Sequence, residues 1–247
     1  MENKKKTACP NPAVRAVLFD MDGVITDTEK YYCECWPKSF RAFGYTEFTP
    51  EDALLKRSLN HADTEIWCKQ RFGADIPLDE IRAYNNACVD ALIEKYGISV
   101  KPGILELLSY LKKTGIKSAV VTATKYERAL SRLSRAALPD TPQQTVRIPL
   151  HESFDRIISA SMVKRGKPHP DVYLYACEQI GELPNNCIAL EDSPNGICAA
   201  YSAGCRTIMI PDLTQPTEDL LPMLFTAASS AADVIAIIER LNASIVL

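Results

Sequence analysis

Six residues, Val14 to Phe19, form a short and largely apolar run that breaks on Asp20-Met21-Asp22-Gly23. A run this short, bounded by polar residues and glycine, predicts a buried strand. In an open α/β sheet the carboxyl ends of the strands face the ligand crevice. Two carboxylates crowded at such an end repel each other unless a cation or a shared proton relieves them. An all-oxygen pair of this kind suits Mg²⁺. One aspartate could then attack phosphorus while its neighbour handles a proton. The simpler alternative is an acidic turn after a strand, which an isolated Asp-x-Asp-Gly often is.

Beyond this run the periodicity changes twice. Residues 29–43 place Tyr32, Cys35, Trp36, Phe40 and Phe43 at helical spacing, with Pro37 expected to kink the helix. Further helices are expected over 51–59, 63–72 and 78–96, and no strand between Ile25 and Val100. Lys101-Pro102-Gly103 is a breaker and a candidate hinge. After it, helices and strands alternate. Strands are expected at 118–121, 154–159, 187–190 and 205–210, and helices at 104–114, 126–137, 171–180, 194–202, 219–225 and 232–241. Residues 138–153 hold three prolines and read as an unusually long loop. Such alternation indicates an α/β fold with a doubly wound parallel sheet. The expected division is a flexible tail over 1–13, a core of 14–24 and 101–247, and an all-helical insert over 25–100 after the first strand.

Composition narrows the function classes. The net charge of -3 gives a nucleic-acid partner no support. No apolar run approaches the ~20 residues of a membrane span, and the Lys4-Lys5-Lys6 stretch is followed by no signal-peptide core. A cytoplasmic protein is expected. The nine cysteines lie scattered in apolar segments and read as free, buried thiols. Cys33-Glu34-Cys35 has no second pair at zinc spacing. Three histidines leave little room for a His-rich metal centre or a Ser-His-Asp triad.

In a doubly wound sheet the strand ends deliver Asp20 and Asp22, then Thr122, then Glu191 and Asp192, while Lys167 comes from a loop before a helix. The strings that carry these residues are Asp-Met-Asp-Gly-Val-Ile-Thr-Asp-Thr at 20–28, Thr122-Ala123-Thr124, Gly-Lys-Pro-His-Pro-Asp at 166–171, and Glu-Asp-Ser-Pro-Asn-Gly-Ile at 191–197. Together they resemble the haloacid dehalogenase superfamily, in its β-phosphoglucomutase-like phosphatase branch. The resemblance covers about residues 14–212. It implies a Rossmann-like core, a mobile helical cap, Mg²⁺ and a small phosphorylated metabolite as substrate, with a monomer expected.

It also implies roles. Asp20 is the nucleophile and a metal ligand. Asp22 is the general acid and base, and its backbone carbonyl also binds the metal. Thr122 hydrogen-bonds the phosphoryl group, and Lys167 neutralises Asp20 and the phosphoryl oxygens. Asp192 is a direct Mg²⁺ ligand, and Glu191 binds directly or through water. Ser193 and Asn195 either orient ligands or, for Ser193, cap a helix. Gly23, Ala123, Arg57, Tyr32 and Asn195 are candidate substrate contacts, although Arg57 reads equally well as a surface arginine.

One departure from the family bears on the reaction. β-Phosphoglucomutase carries a histidine where Tyr32 stands, and that histidine helps engage the second aspartate. A tyrosine hydroxyl is neutral at pH 7. Tyr32 therefore cannot supply Asp22 with the same charged partner, and water is expected to outcompete a sugar for the phosphoenzyme. This favours a phosphatase of small phosphomonoesters over a β-phosphoglucomutase-like isomerase. A third class, a phosphate-responsive binding protein without turnover, is disfavoured by the intact set of Asp20, Asp22, Thr122, Lys167 and Asp192.

Overall fold

The computed structural model describes residues 13–57, 61–137 and 149–243. Residues 1–12 of the proposed tail and residues 138–148 of the expected 138–153 loop lie outside them. The first strand, β1 (Ala16–Phe19), is buried along its whole length. Such burial on both faces requires neighbours on both sides and helices above and below. Ala16 and Leu18 face one layer, Val17 and Phe19 the other, as the two-residue period of a strand dictates.

Four helices follow: α1 (Glu29–Ala42), α2 (Pro50–Arg57), α3 (His61–Phe72) and α4 (Leu78–Tyr96). They have cores of their own. Phe40 stacks on Phe48 with ring centroids 3.8 Å apart, and Phe72, Trp36 and Tyr45 close around it. A disulfide joins Cys35 of α1 to Cys88 of α4, so the reading of every cysteine as a free thiol is corrected at these two. Six described cysteines are free, among them Cys177 and Cys187 in the second layer of the sheet's packing.

The chain returns through β2 (Ile98–Ser99), then α5 (Ile104–Thr114), β3 (Lys117–Thr122), α6 (Tyr126–Arg135) and β4 (Ala136–Ala137). β2 and β4 pair in parallel, which corrects two expectations. The returning linker is not strand-free, and α6 ends two residues early. Ala136 and Ala137 suit a helix by propensity, but a backbone partner arrives from the linker and tertiary pairing wins. Within the expected loop, Leu150–Ser153 form a 3₁₀ turn.

The remaining elements are β5 (Arg156–Ser159), α7 (Asp171–Ile180), β6 (Cys187–Glu191), α8 (Pro194–Ala203), β7 (Arg206–Met209), β8 (Thr226–Ala227) and α9 (Asp233–Ala243). The expected helix over 219–225 is instead a 3₁₀ turn at Leu221–Met223 leading into β8. Pro222 cannot donate within a helix, and Phe225 N–H pairs with Thr207 O of β7 instead.

All six strands of the main sheet are parallel, in the order β5-β3-β1-β6-β7-β8. Helices α5, α6 and α9 cover one face, and α7 and α8 the other. From β1 the sheet grows one way through β3 and β5 and the other way through β6, β7 and β8, so its switch point lies at β1. Phe19 is in register with Val120 and with Leu190, which brings the ends of β1, β3 and β6 together. No described helix is long and apolar enough to cross a membrane.

Candidate active site

Asp20 follows directly on β1, and its N–H donates to Leu190 O of β6 at 2.9 Å. Its carboxylate accepts from Lys167 Nζ at 2.5 Å. The same ammonium donates to Glu191 Oε1 at 2.6 Å and to Val121 O at 3.0 Å, so all three of its donors are used. Glu191 is completely buried and also accepts from the Tyr173 hydroxyl of α7. Asp192 lies beside them, and one oxygen each of Asp20, Glu191 and Asp192 fall within 4.8 Å of one another.

The electrostatics follow from this crowding. Burial pushes the Asp20 carboxyl up to about 8, against the pull of Lys167 and with Glu191 and Asp22 adding to the rise. Burial works against the Lys167 ammonium, but Asp20 and Glu191 outweigh it and raise Lys167. Within this group three carboxyl groups share one ammonium, and with all three ionised they would carry two negative charges in excess. The donor set is all oxygen. Both features fit a hard divalent cation.

Local sequence explains the placement. Ser193 caps α8, its Oγ accepting from Gly196 N–H at 3.2 Å, with Pro194 at the first helical position. The same Oγ donates to Glu191 Oε2 at 3.4 Å, so one hydroxyl both caps the helix and contacts Glu191. Glycine is required at 196, since a Cβ there would meet Glu191 Oε2 at 1.9 Å.

Asp22 is held by a different set. Its Oδ1 accepts from Thr28 Oγ1 at 2.5 Å and from Arg132 Nη1 at 3.1 Å, and its Oδ2 from Thr124 Oγ1 at 2.9 Å. Arg132 also donates through Nη2 to the Tyr32 hydroxyl at 2.5 Å. The charged partner of Asp22 is thus Arg132 of α6 and not a residue of the helix that carries Tyr32.

A cavity of about 460 Å³ lies between the sheet edge and the helices α1 and α2. Its walls include Asp20, Asp22, Thr122, Ala123, Lys167, Asp192 and Asn195 from the sheet side, and Tyr32, Trp36 and Lys56 from the helical side. Glu191 sits behind this wall. Gly23 is not part of it; φ of +94° and a 2.9 Å hydrogen bond from its N–H to Thr26 O make it a turn former. Arg57 closes α2, and its side chain lies outside the described residues. Sequence reasoning missed Arg132, Tyr173 and Lys56. Thr28 and Thr124 were inside the quoted strings, but nothing local marks a helical arginine as a partner for a residue 110 positions away.

The fold and cavity together define an α/β enzyme with a carboxylate-lined cleft at the switch point of its sheet. A profile of the haloacid dehalogenase-like hydrolases matches residues 14–204, and the chain belongs to that family. Protein CbbY of Cereibacter sphaeroides is 31% identical over 203 residues, which is 80% of this chain and 84% of that protein. Hexitol phosphatase A of Escherichia coli is 31% identical over 198 residues, 79% of this chain and 82% of that protein. The crystal structure of CbbY from Rhodobacter sphaeroides in complex with xylulose-(1,5)bisphosphate superposes with a TM-score of 0.71 at 26% identity, over 89% of this chain and 96% of that one.

Proposed function

We propose that the chain is a Mg²⁺-dependent phosphatase of small phosphomonoesters, sugar phosphates foremost, working through an aspartyl-phosphate. The observation that carries this reading is the convergence of Asp20, Asp22, Thr122, Lys167 and Asp192 on one cavity. The phosphatase and the bisphosphate-binding protein among its relatives support the substrate class.

In this reading an Asp20 oxygen attacks phosphorus in line, the bond from phosphorus to the leaving oxygen breaks, and Asp22 gives that oxygen its proton. Water then attacks the phosphoryl group and passes a proton to Asp22. The bond to Asp20 breaks and inorganic phosphate departs. Lys167 offsets charge on Asp20 and the phosphoryl oxygens, and the Thr122 hydroxyl donates to the same group. Asp20 and Asp192 would hold the Mg²⁺, with Glu191 behind them. The ion would neutralise the phosphoryl charge and keep Asp20 ionised. The helices over 25–100 act as a cap that closes over the sugar.

A β-phosphoglucomutase-like isomerase is the second reading, and Arg132 favours it, since Asp22 has a charged partner after all. One experiment separates the readings. Sugar phosphates, including β-glucose 1-phosphate with a phosphorylating starter, are assayed with and without Mg²⁺. The phosphatase releases inorganic phosphate faster than it forms glucose 6-phosphate, depends on Mg²⁺, and loses turnover in a folded Asp20→Asn variant by a factor on the order of 10⁴ or more. Accumulating glucose 6-phosphate with little free phosphate would give the mutase its place.

A further inference from the structure

The geometry points to Arg132 as the residue that positions Asp22 for proton transfer, a role that rests on the phosphatase reading above. Asp22 lies beyond the end of β1, where a single bridge to Thr26 holds its backbone but leaves the direction of its side chain open. Its carboxylate takes its direction from side-chain donors alone among those described. Two are threonine hydroxyls, which can rotate away. The third is a planar guanidinium, whose donors stand at fixed angles.

Arg132 is itself firmly placed. It is 3% exposed, on a helix whose Ala129 and Leu133 are part of the main core. One turn to either side, Arg128 and Arg135 pair with Asp90 and Glu94 of α4 at 2.5 Å each and hold α6 against the helical block. Arg132 turns inward between them and reaches both Asp22 and Tyr32. Its Nε–H is buried and has no partner among the described residues. A buried donor left unmet destabilises a fold, and an apolar side chain would fill the place at lower cost. The gain from an arginine here is what it does for Asp22. It is absent from the cavity wall, so it acts through Asp22, not on substrate.

The test compares leaving groups. An alkoxide needs the proton that Asp22 delivers, whereas p-nitrophenolate departs without one. The comparison is made on kcat/KM, which reports transfer to Asp20 and not the later hydrolysis that both substrates share. Arg132→Met should lower kcat/KM on the sugar phosphate that the wild type hydrolyses fastest by about a hundredfold. On p-nitrophenyl phosphate kcat/KM should fall less than about fivefold. Arg132→Lys, which keeps the positive charge, should recover about tenfold on the sugar phosphate, and it carries the comparison if the methionine variant does not fold. Equal losses of kcat/KM on both substrates, or no loss, would overturn the role.

A second readout does not depend on turnover. Orthovanadate presents an axial oxygen where the leaving group stands, and inorganic phosphate does not. The Arg132 variant should bind vanadate at least about tenfold more weakly while its affinity for phosphate holds. Unchanged vanadate affinity would overturn the proposal. Failure of the phosphatase reading shows elsewhere, as glucose 6-phosphate accumulating with little free phosphate in the wild type or as activity kept by Asp20→Asn, and neither is read from an Arg132 variant.

Discussion

The cavity wall that the sheet supplies gathers Asp20, Asp22, Lys167 and Asp192 among hydroxyl and small side chains, whereas the wall that α1 and α2 supply sets aromatic and apolar surface beside Glu29 and Lys56. On the sheet side Asp20, Asp22, Lys167 and Asp192 stand at strand ends or in the loops just beyond them. Their spacing follows from register, since Phe19 is paired at once with Val120 and Leu190. On the helical side stand Tyr32, Trp36 and Ala53, and the Lys56 ammonium sits 3.4 Å above the Trp36 ring. These residues are carried by helices packed around Phe40, not by the sheet. A reaction that tolerates little displacement belongs on the rigid side. Discrimination between substrates can be built on the other.

The largest effect that would break this contrast is expected at Lys167. Its side chain is only 6% exposed and it balances two buried carboxylates. Lys167→Met should abolish turnover and cost about 3–5 kcal/mol of stability, the usual penalty for stripping one partner from a buried ion pair. Urea unfolding followed by circular dichroism measures it. A variant as stable as the parent would mean that the carboxylate cluster does not depend on its lysine.

A cut into the helical side should act differently. Phe40→Ala removes the ring at the centre of that core and should cost about 3–5 kcal/mol there. Both tryptophans of the chain, Trp36 and Trp67, lie in this block, so fluorescence reports on it alone. The fluorescence midpoint should fall while the later part of the circular-dichroism transition stays in place. Coincident transitions shifted by the same amount would show that the two sides unfold as one unit.

The smallest effect concerns pH. Burial brings Lys56 down to about 7, with Arg82 of α4 pushing the same way and Cys68 of α3 and Glu29 of α1 opposing. A base lowered in the fold is protonated below its folded pKa and neutral above it. Affinity for an anionic substrate should therefore weaken a few-fold between pH 6 and 8, and Lys56→Met should flatten that dependence. The same depression means that the unfolded chain binds more protons between pH 7 and 10.5, so Lys56's contribution to stability improves as pH rises through that window. A Lys56→Met profile parallel to the parent's would place the titration elsewhere.

The local motifs made the sheet side largely legible in advance. Each of its four strings packs its functional residues within a few positions of a strand end or helix start, where periodicity and turn chemistry mark them. The helices α1 to α4 were equally plain, with α4 falling at the expected bounds. What escaped notice lacked such marks. β8 is two residues long after a proline-bearing turn, and β4 is a pair of alanines that local propensity assigns to a helix.

The chain by itself determined the α/β alternation, the order of the elements and the residues that gather at the strand ends, because each rests on short-range periodicity or on a motif read within a few residues. Only the tertiary structure decided who stands beside whom across long separations. Arg132 meets Asp22 and Tyr32, Tyr173 meets Glu191, Cys35 meets Cys88, and Lys56 settles on Trp36. None of these pairings has a local signature. An arginine on a helix or a cysteine in an apolar stretch has the same local pattern whatever it will touch, and its partner is set by how the layers pack.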